Sequence, residues 1–502
     1  MPRSRVVTLA TLAALFTLVL PLLLPTLTVQ AQASSVRFDN APCMFDLPDG
    51  AIDGKDVVCS YVTVPEVHAN PTGPTIKLAT AVFKSPATFK SGDAMMYLEG
   101  GPGGAVNDTV SSVYDVFTRD FMHDRDFIFF DQRGVGKSQP ALDCPEEGVQ
   151  YDADDTARVS YGTHIDHSIA ATLRCRDRLV SSGVNLNAYH SSESAADVND
   201  IRAALGYKTL SLIGVSYGTR LALTVMRDFP QLARAVVLDS SVPLEANLFE
   251  DDSKDFSEVL NAYFDACVRV ARCNAKYPAL RADFADLYVK LNANPIALPR
   301  MDRATGKPYT RLLSGDSLVG RAHSFLYASG GFFDLANFIE GIKAYLQNPT
   351  ELTARAFIRD DSNGTGVYWS VYCAEEIPFN DYGKALANAQ NVTFELREWS
   401  VEQVKAAQGV CSQWPAKPLG TIETQPVVSS IPSLVMTSAD DVATPARYGR
   451  MVAQSLKKSY LVSFPAIGHS AIFNGEGCGV DIAFNFITNP TKRPSTSCTA
   501  DL

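Results

Sequence analysis

Acyl-transfer sites are built from serine, histidine and acidic residues, and one serine of this chain has a distinctive setting. Ser216 lies in LIGVSYGTR, residues Leu212 to Arg220, between Gly214 and Gly218 at G-x-S-x-G spacing. That spacing is short enough to arise by chance, so the flanks decide. Leu210 to Gly214 reads as a short buried strand, and Leu221 to Arg227 continues as a helix. Ser216 therefore falls where a strand turns into a helix, the context in which such a serine becomes a nucleophile. The turn lifts the hydroxyl above the sheet edge. The following helix directs its first N–H groups and positive dipole end at a developing oxyanion.

A serine hydroxyl needs a base. Of the seven histidines, His469 stands apart, in AIGHSAIF just after the apolar run Tyr460 to Phe464. The chain order nucleophile, acid, histidine puts the base there. The acid is expected where the strand Ser433 to Thr437 ends, and both Asp440 and Asp441 of SADDVATP qualify. A buried carboxylate would fix the imidazole tautomer and stabilise the imidazolium. The oxyanion needs two backbone donors. One is the N–H of Tyr217, directly after the nucleophile. The other is expected from the glycine loop GGPGG, Gly100 to Gly104, where backbone can approach a substrate oxygen closely.

These residues need a frame. Strand-like runs occur at Val57 to Val64, Ile76 to Phe83, Ala94 to Leu98, Phe127 to Phe130, Leu210 to Gly214 and Ala235 to Leu238. Helical spacing appears at Ile165 to Val180 and Ala195 to Leu205. The alternation predicts an α/β fold with a mostly parallel central sheet flanked by helices. From about Leu244 to Gly420 the pattern is mainly helical. Strands return at Ser433 to Thr437 and Tyr460 to Phe464, with a last helix near Val480 to Ile487. The expected organisation is a signal peptide over 1–33, core over 34–244, a helical cap insertion over 245–420 and the rest of the core over 421–502. The insertion would sit over the C-terminal sheet edge, where open parallel sheets bind ligands.

Arg3 and Arg5, the apolar stretch Val6 to Val29 and Ala31-Gln32-Ala33 have the layout of a cleaved export signal. Ten cysteines fall in sequence-adjacent couples, Cys43/Cys59, Cys144/Cys175, Cys267/Cys273, Cys373/Cys411 and Cys478/Cys498. Disulfides persist outside the cytosol, so the expectation is a secreted or periplasmic chain with neighbours paired. The net charge of −11 comes without a basic run, which argues against a nucleic-acid partner. No later segment is apolar for long enough to span a bilayer, so no stable membrane association is expected after signal cleavage.

Taken together, these residues resemble the α/β-hydrolase fold, and more narrowly the secreted tripeptidyl aminopeptidase and proline iminopeptidase group of serine peptidases. The resemblance rests on GGPGG (Gly100 to Gly104), DQRGVGKS (Asp131 to Ser138), GVSYG (Gly214 to Gly218), DVATP (Asp441 to Pro445) and Gly468-His469. It implies Asp441 as the acid and Gly101 as the second oxyanion donor. It also implies an acid shortly after a cysteine late in the insertion, matched by Glu375 or Glu376 of VYCAEEIPF. A carboxylate closing a cleft would hold a substrate ammonium by charge-assisted hydrogen bonds. Glu99 stands where many iminopeptidases have histidine.

The resulting expectation is an exported serine exopeptidase acting on peptides with a free N-terminus. It needs no metal or organic cofactor, because the triad supplies nucleophile, base and oxyanion stabiliser. Two other readings use the same residues. One is a carboxylesterase or deacylase of small molecules. The other is a binding protein that kept the fold and lost the chemistry.

Overall fold

The computed structural model describes residues 36–501 except 89, 107–109, 111–121, 123, 302–307, 328–331, 349–363 and 466. The expected signal over 1–33 lies outside the described residues. Eleven strands are present among them: β1 (Arg37–Asn40), β2 (Val57–Pro65), β3 (Thr75–Phe83), β4 (Asp93–Leu98), β5 (Phe127–Phe130), β6 (Thr209–Val215), β7 (Ala233–Asp239), β8 (Ile296–Met301), β9 (Pro308–Leu313), β10 (Ser433–Ser438) and β11 (Ser459–Phe464).

Nine of these form one sheet in the order β1-β2-β3-β5-β4-β6-β7-β10-β11. The pairs from β1 to β5 along that order are antiparallel. From β5 to β11 every pair is parallel. Strands β4 and β5 are buried along their whole length, as expected of strands covered on both faces. Side chains alternate between two cores. Met95 and Tyr97 face one, with the helix Cys478–Thr488. Ala94, Met96 and Leu98 face the other, with the helices Ser191–Ala204 and Tyr217–Asp228. Burying one such large apolar side chain stabilises the fold by about 1.5–3 kcal/mol.

Between β7 and β10 the chain builds a layer with its own core. Phe256, Phe264, Phe284, Leu287, Ile339 and Trp399 pack together there. Its helices include Leu248–Arg269, Leu280–Ala293, Gly315–Tyr327, Asp334–Gln347, Thr365–Glu375, Tyr382–Gln390 and Phe394–Cys411. Val442, from the loop after β10, is buried in this same core. Two features were not anticipated. The hairpin β8–β9 interrupts the helical stretch, and prolines at 299 and 308 hide its alternation. Strand β1 is a four-residue edge, RFDN, with no apolar run to announce it.

All five cysteine couples are disulfides, Cys43–Cys59, Cys144–Cys175, Cys267–Cys273, Cys373–Cys411 and Cys478–Cys498. Among the described residues no helix is long and apolar enough to cross a membrane.

Candidate active site

Ser216 follows β6 directly, with φ 57° and ψ −127°. A side chain in this backbone region costs on the order of 1–3 kcal/mol, and the surroundings must enforce it. They do so from three sides. The Ser216 N–H donates to the carbonyl of Asp239 at 3.0 Å. A Cβ on Gly100 would lie 2.9 Å from the Ser216 Cβ. A Cβ on Gly218 would collide with the carbonyl of Leu98. The glycines at 100 and 218 are therefore what lets the strand, the loop after β4 and the helix close around the serine.

Asp239, at the end of β7, is fully buried and ties this corner to the histidine loop. Its carboxylate accepts from Ser470 Oγ at 2.8 Å, Ala471 N at 3.1 Å and Ile472 N at 2.9 Å. Its carbonyl holds Ser216. The nucleophile candidate and the residue after His469 thus hang on one aspartate. Its trace in the sequence is an acid closing the apolar strand Ala235 to Leu238.

His469 is 4% exposed and Asp441 is 0% exposed. The imidazole Nδ1 lies 2.9 Å from Asp441 Oδ2 and 3.0 Å from Oδ1. Of the two candidate acids it is Asp441 that meets the histidine. Asp440 has only a half-buried position beside it, where burial pushes its carboxyl up to about 6. Asp441 is oriented by its own loop. Thr444 Oγ1 donates to Oδ2 at 2.6 Å, while the N–H groups of Thr444 and Ala443 donate to Oδ1 at 2.9 and 3.0 Å. Burial works to raise the Asp441 pKa, but the His469 charge and these bonds outweigh it and hold the carboxyl below its ordinary value. Burial likewise opposes protonation of His469, and the Asp441 charge reverses that, raising the imidazole pKa. Thr444 was not singled out from sequence, although D-x-x-T is a familiar side-chain-to-backbone turn.

The face of His469 stacks on Tyr327, with ring centroids 4.4 Å apart, and the His469 backbone N–H donates to the Tyr327 carbonyl at 2.8 Å. Its Nε2 is buried with no hydrogen-bond partner among the described residues. A buried polar nitrogen without a partner is costly, and a group awaiting a reacting proton is a physical reason for one.

Gly101 has φ 112°, in the loop that Gly100 presses against Ser216. Tyr217 is the first residue of its helix, so its N–H has no acceptor inside the helix. Tyr217 follows the serine in the chain, and Gly101 follows Gly100, the residue pressed against it. Glu99 sits just before these two glycines, half-buried, with Oε1 accepting from Gly100 N at 2.7 Å and Tyr97 Oη at 3.4 Å. Burial raises its pKa, against the pull of the Gly100 bond.

The structure gives Glu375 and Glu376 a different occupation from the one expected. Both are buried, at 1% and 4% exposure. Glu375 accepts from Ser191 N at 2.6 Å, Ser191 Oγ at 2.8 Å and Arg220 Nε at 2.8 Å. Glu376 Oε1 meets Arg220 Nη1 at 2.7 Å. A single buried arginine, one turn beyond Ser216, thus faces both carboxylates, and burial together with the Glu375 charge pushes the Glu376 carboxyl up to about 7. Neither is a free charge at the end of a cleft. A separate cavity of about 1990 Å³ includes Tyr327 and His323 in its walls. Ser216, Asp441 and His469 are not in those walls.

This topology and this corner define a class. Residues 93–476 match the alpha/beta hydrolase fold family, and the chain belongs to it. Its similarities reach further along the chain. Serine protease Hip1 of Mycobacterium tuberculosis is 27% identical over 481 residues, covering 90% of this chain and 89% of that one. The tripeptidyl aminopeptidase of Streptomyces coelicolor is 27% identical over 466 residues, covering 86% and 80%. Carboxylesterase B of M. tuberculosis is 26% identical over 461 residues, covering 87% and 85%.

Proposed function

We propose that the protein is a serine exopeptidase that removes amino acids or short peptides from a free N-terminus. Ser216 attacks the scissile carbonyl. His469 takes the serine proton at Nε2 and returns it to the leaving amine. Asp441 fixes the Nδ1–H tautomer and stabilises the imidazolium. The N–H groups of Gly101 and Tyr217 hold the oxyanion. Water, activated by the same histidine, then releases the acyl group and restores Ser216. The observation carrying this reading is the His469–Asp441 contact with an unpartnered Nε2, bound through Asp239 to a strained serine. The serine protease and tripeptidyl aminopeptidase among the relatives support a peptide bond as the target.

Carboxylesterase B favours a second reading, an esterase on the same three residues. Turnover of tripeptidyl anilides with free and acetylated N-termini, beside short-chain esters, separates the two. The exopeptidase cleaves the free anilide, and the Ser216→Ala variant does not. Ester turnover without any anilide turnover would contradict the reading. The five disulfides and the N-terminal sequence support a site of action outside the cytosol, in the periplasm or the medium.

A further inference from the structure

The Tyr217 N–H can serve an oxyanion only if the first turn of the helix Tyr217–Asp228 is held in place beside Ser216. The side chain of Tyr217 does part of this. It is 4% exposed and packs with Val135, Leu142, Val367 and Val371. Its hydroxyl ends 2.9 Å from Ser191 Oγ. Ser191 is fully buried and is held in turn by Glu375, which accepts from Ser191 N at 2.6 Å and from Ser191 Oγ at 2.8 Å. A carboxylate only accepts. The Ser191 hydroxyl proton is therefore committed to Glu375, and the Tyr217 phenol donates to Ser191.

Arg220 stands three residues after Tyr217, on the same helix face. Its Nε donates to Glu375 Oε2 at 2.8 Å. Glu375 thus receives two side chains from the turn that follows the nucleophile, one through Ser191 and one directly. A buried network of partnered polar groups holds one geometry and makes alternatives costly.

The second oxyanion donor is reached from the other end of the helix that carries Glu375, Thr365–Glu375. A Cβ on Gly103 would lie 2.6 Å from the carbonyl of Gly364, the residue before that helix, so the helix begins against the loop of Gly101. Its start is fastened independently. Gly364 N donates to Asp143 Oδ1 at 2.8 Å, and Gly366 N donates to the Leu142 carbonyl at 2.8 Å. One helix from the insertion therefore bears on the Gly101 loop at its start and on Tyr217 at its finish.

We propose that Glu375 is a positioning residue: through Ser191 it fixes Tyr217, and with it the spacing of the two backbone donors that hold the oxyanion. This rests on the roles given above to Gly101 and Tyr217. It assigns the glutamate to the geometry of the reacting carbonyl rather than to the substrate ammonium.

Kinetics on two substrates test it, a tripeptidyl anilide with a free N-terminus and p-nitrophenyl acetate, which has no amine. Removing an oxyanion donor costs about a hundredfold to a thousandfold in kcat, so displacing one should cost less, about tenfold. Y217F, which loses one hydroxyl, and E375Q should each lower kcat on the anilide by about that factor with KM unchanged. Each should lower kcat/KM on the ester by the same factor. Affinity for a tripeptide aldehyde, whose adduct with Ser216 carries an oxyanion, should fall in parallel. Affinity for the matching tripeptide alcohol, which forms no adduct, should not. Because Tyr217 acts through Glu375, Y217F/E375Q should lose no more than E375Q alone. Y217F keeps the bonds between Ser191 and Glu375, so it answers the question even where E375Q does not fold.

A raised KM on the anilide with the ester spared would make Glu375 a substrate contact and overturns the proposal. Wild-type kcat in Y217F, or losses that add in the double variant, overturns it too. If wild-type protein cleaves the ester and no anilide, the exopeptidase reading fails, and the ester and aldehyde series still decides the positioning role.

Discussion

At the scale of single residues, the site depends on groups whose environments pull their charges apart. Asp441 is held ionised by three donors from its own loop, and its charge raises the His469 pKa above the free-imidazole value of 6.5. The acid limb of kcat/KM should therefore lie above pH 6.5, since activity is lost as His469 protonates. In Asp441→Asn the raising charge is gone. That limb should move to lower pH, and kcat should fall by roughly 10⁴-fold with the wrong tautomer favoured. Glu99 also raises the His469 pKa, as a smaller influence. Glu99→Gln should shift the limb in the same direction by less, read from a pH series on one anilide substrate. A shift upward in either variant would contradict this electrostatic account.

The settings expected for Ser216, Tyr217 and His469, a strand-to-helix turn and a loop after the last strand, were legible in the sequence because their signal is local. Asp441 was one of two adjacent candidates, since adjacent loop residues look alike until the fold turns one of them inward. Asp239 and Thr444 were not seen, because their partners lie 231 and 3 residues away in patterns shared by many unreactive loops. Glu375 or Glu376 was expected to hold a substrate ammonium, and the pairing with Arg220, 155 positions before Glu375, leaves no local trace in the sequence.

At the scale of elements, the helix Thr365–Glu375 connects the oxyanion loop with the helix behind Ser216. Arg220, at 2% exposure, pairs with two buried carboxylates at the C-terminal end of Thr365–Glu375, one positive charge facing two acids. Removing one partner of such a buried cluster leaves charge uncompensated, at a cost of about 3–5 kcal/mol. Arg220→Met should therefore lower the stability measured by denaturant titration by about that amount. A loss below about 1 kcal/mol would mean the charges find water. The same helix is fastened by Cys373–Cys411, a separation of 38 residues. Replacing both cysteines with alanine should cost about 2–5 kcal/mol. Elements with unbroken apolar runs, such as β4 to β7, were recognisable beforehand. The hairpin β8–β9 and strand β1 were not, because prolines and exposed edges carry little pattern.

At the scale of the whole molecule, a parallel sheet gathers loops from distant parts of the chain along one edge, and a helical layer contributes Val442 contacts and Tyr327 stacking to the same edge. The sheet layer carries Ser216, Asp441 and His469, and the helical layer covers the histidine with Tyr327. The disulfides staple both, so reduction should lower the melting temperature of the folded chain. In an exporting host, intact mass of the recovered protein should begin at Ser34. Retention of 1–33 would contradict the export reading.

The most direct measurement is covalent. Protein treated with a fluorophosphonate and mapped by peptide mass spectrometry should carry the phosphonyl group on Ser216, with labelling lost in His469→Ala. A label on another residue, or undiminished labelling of Ser216 without the histidine, would contradict the proposed pairing of that serine with that base.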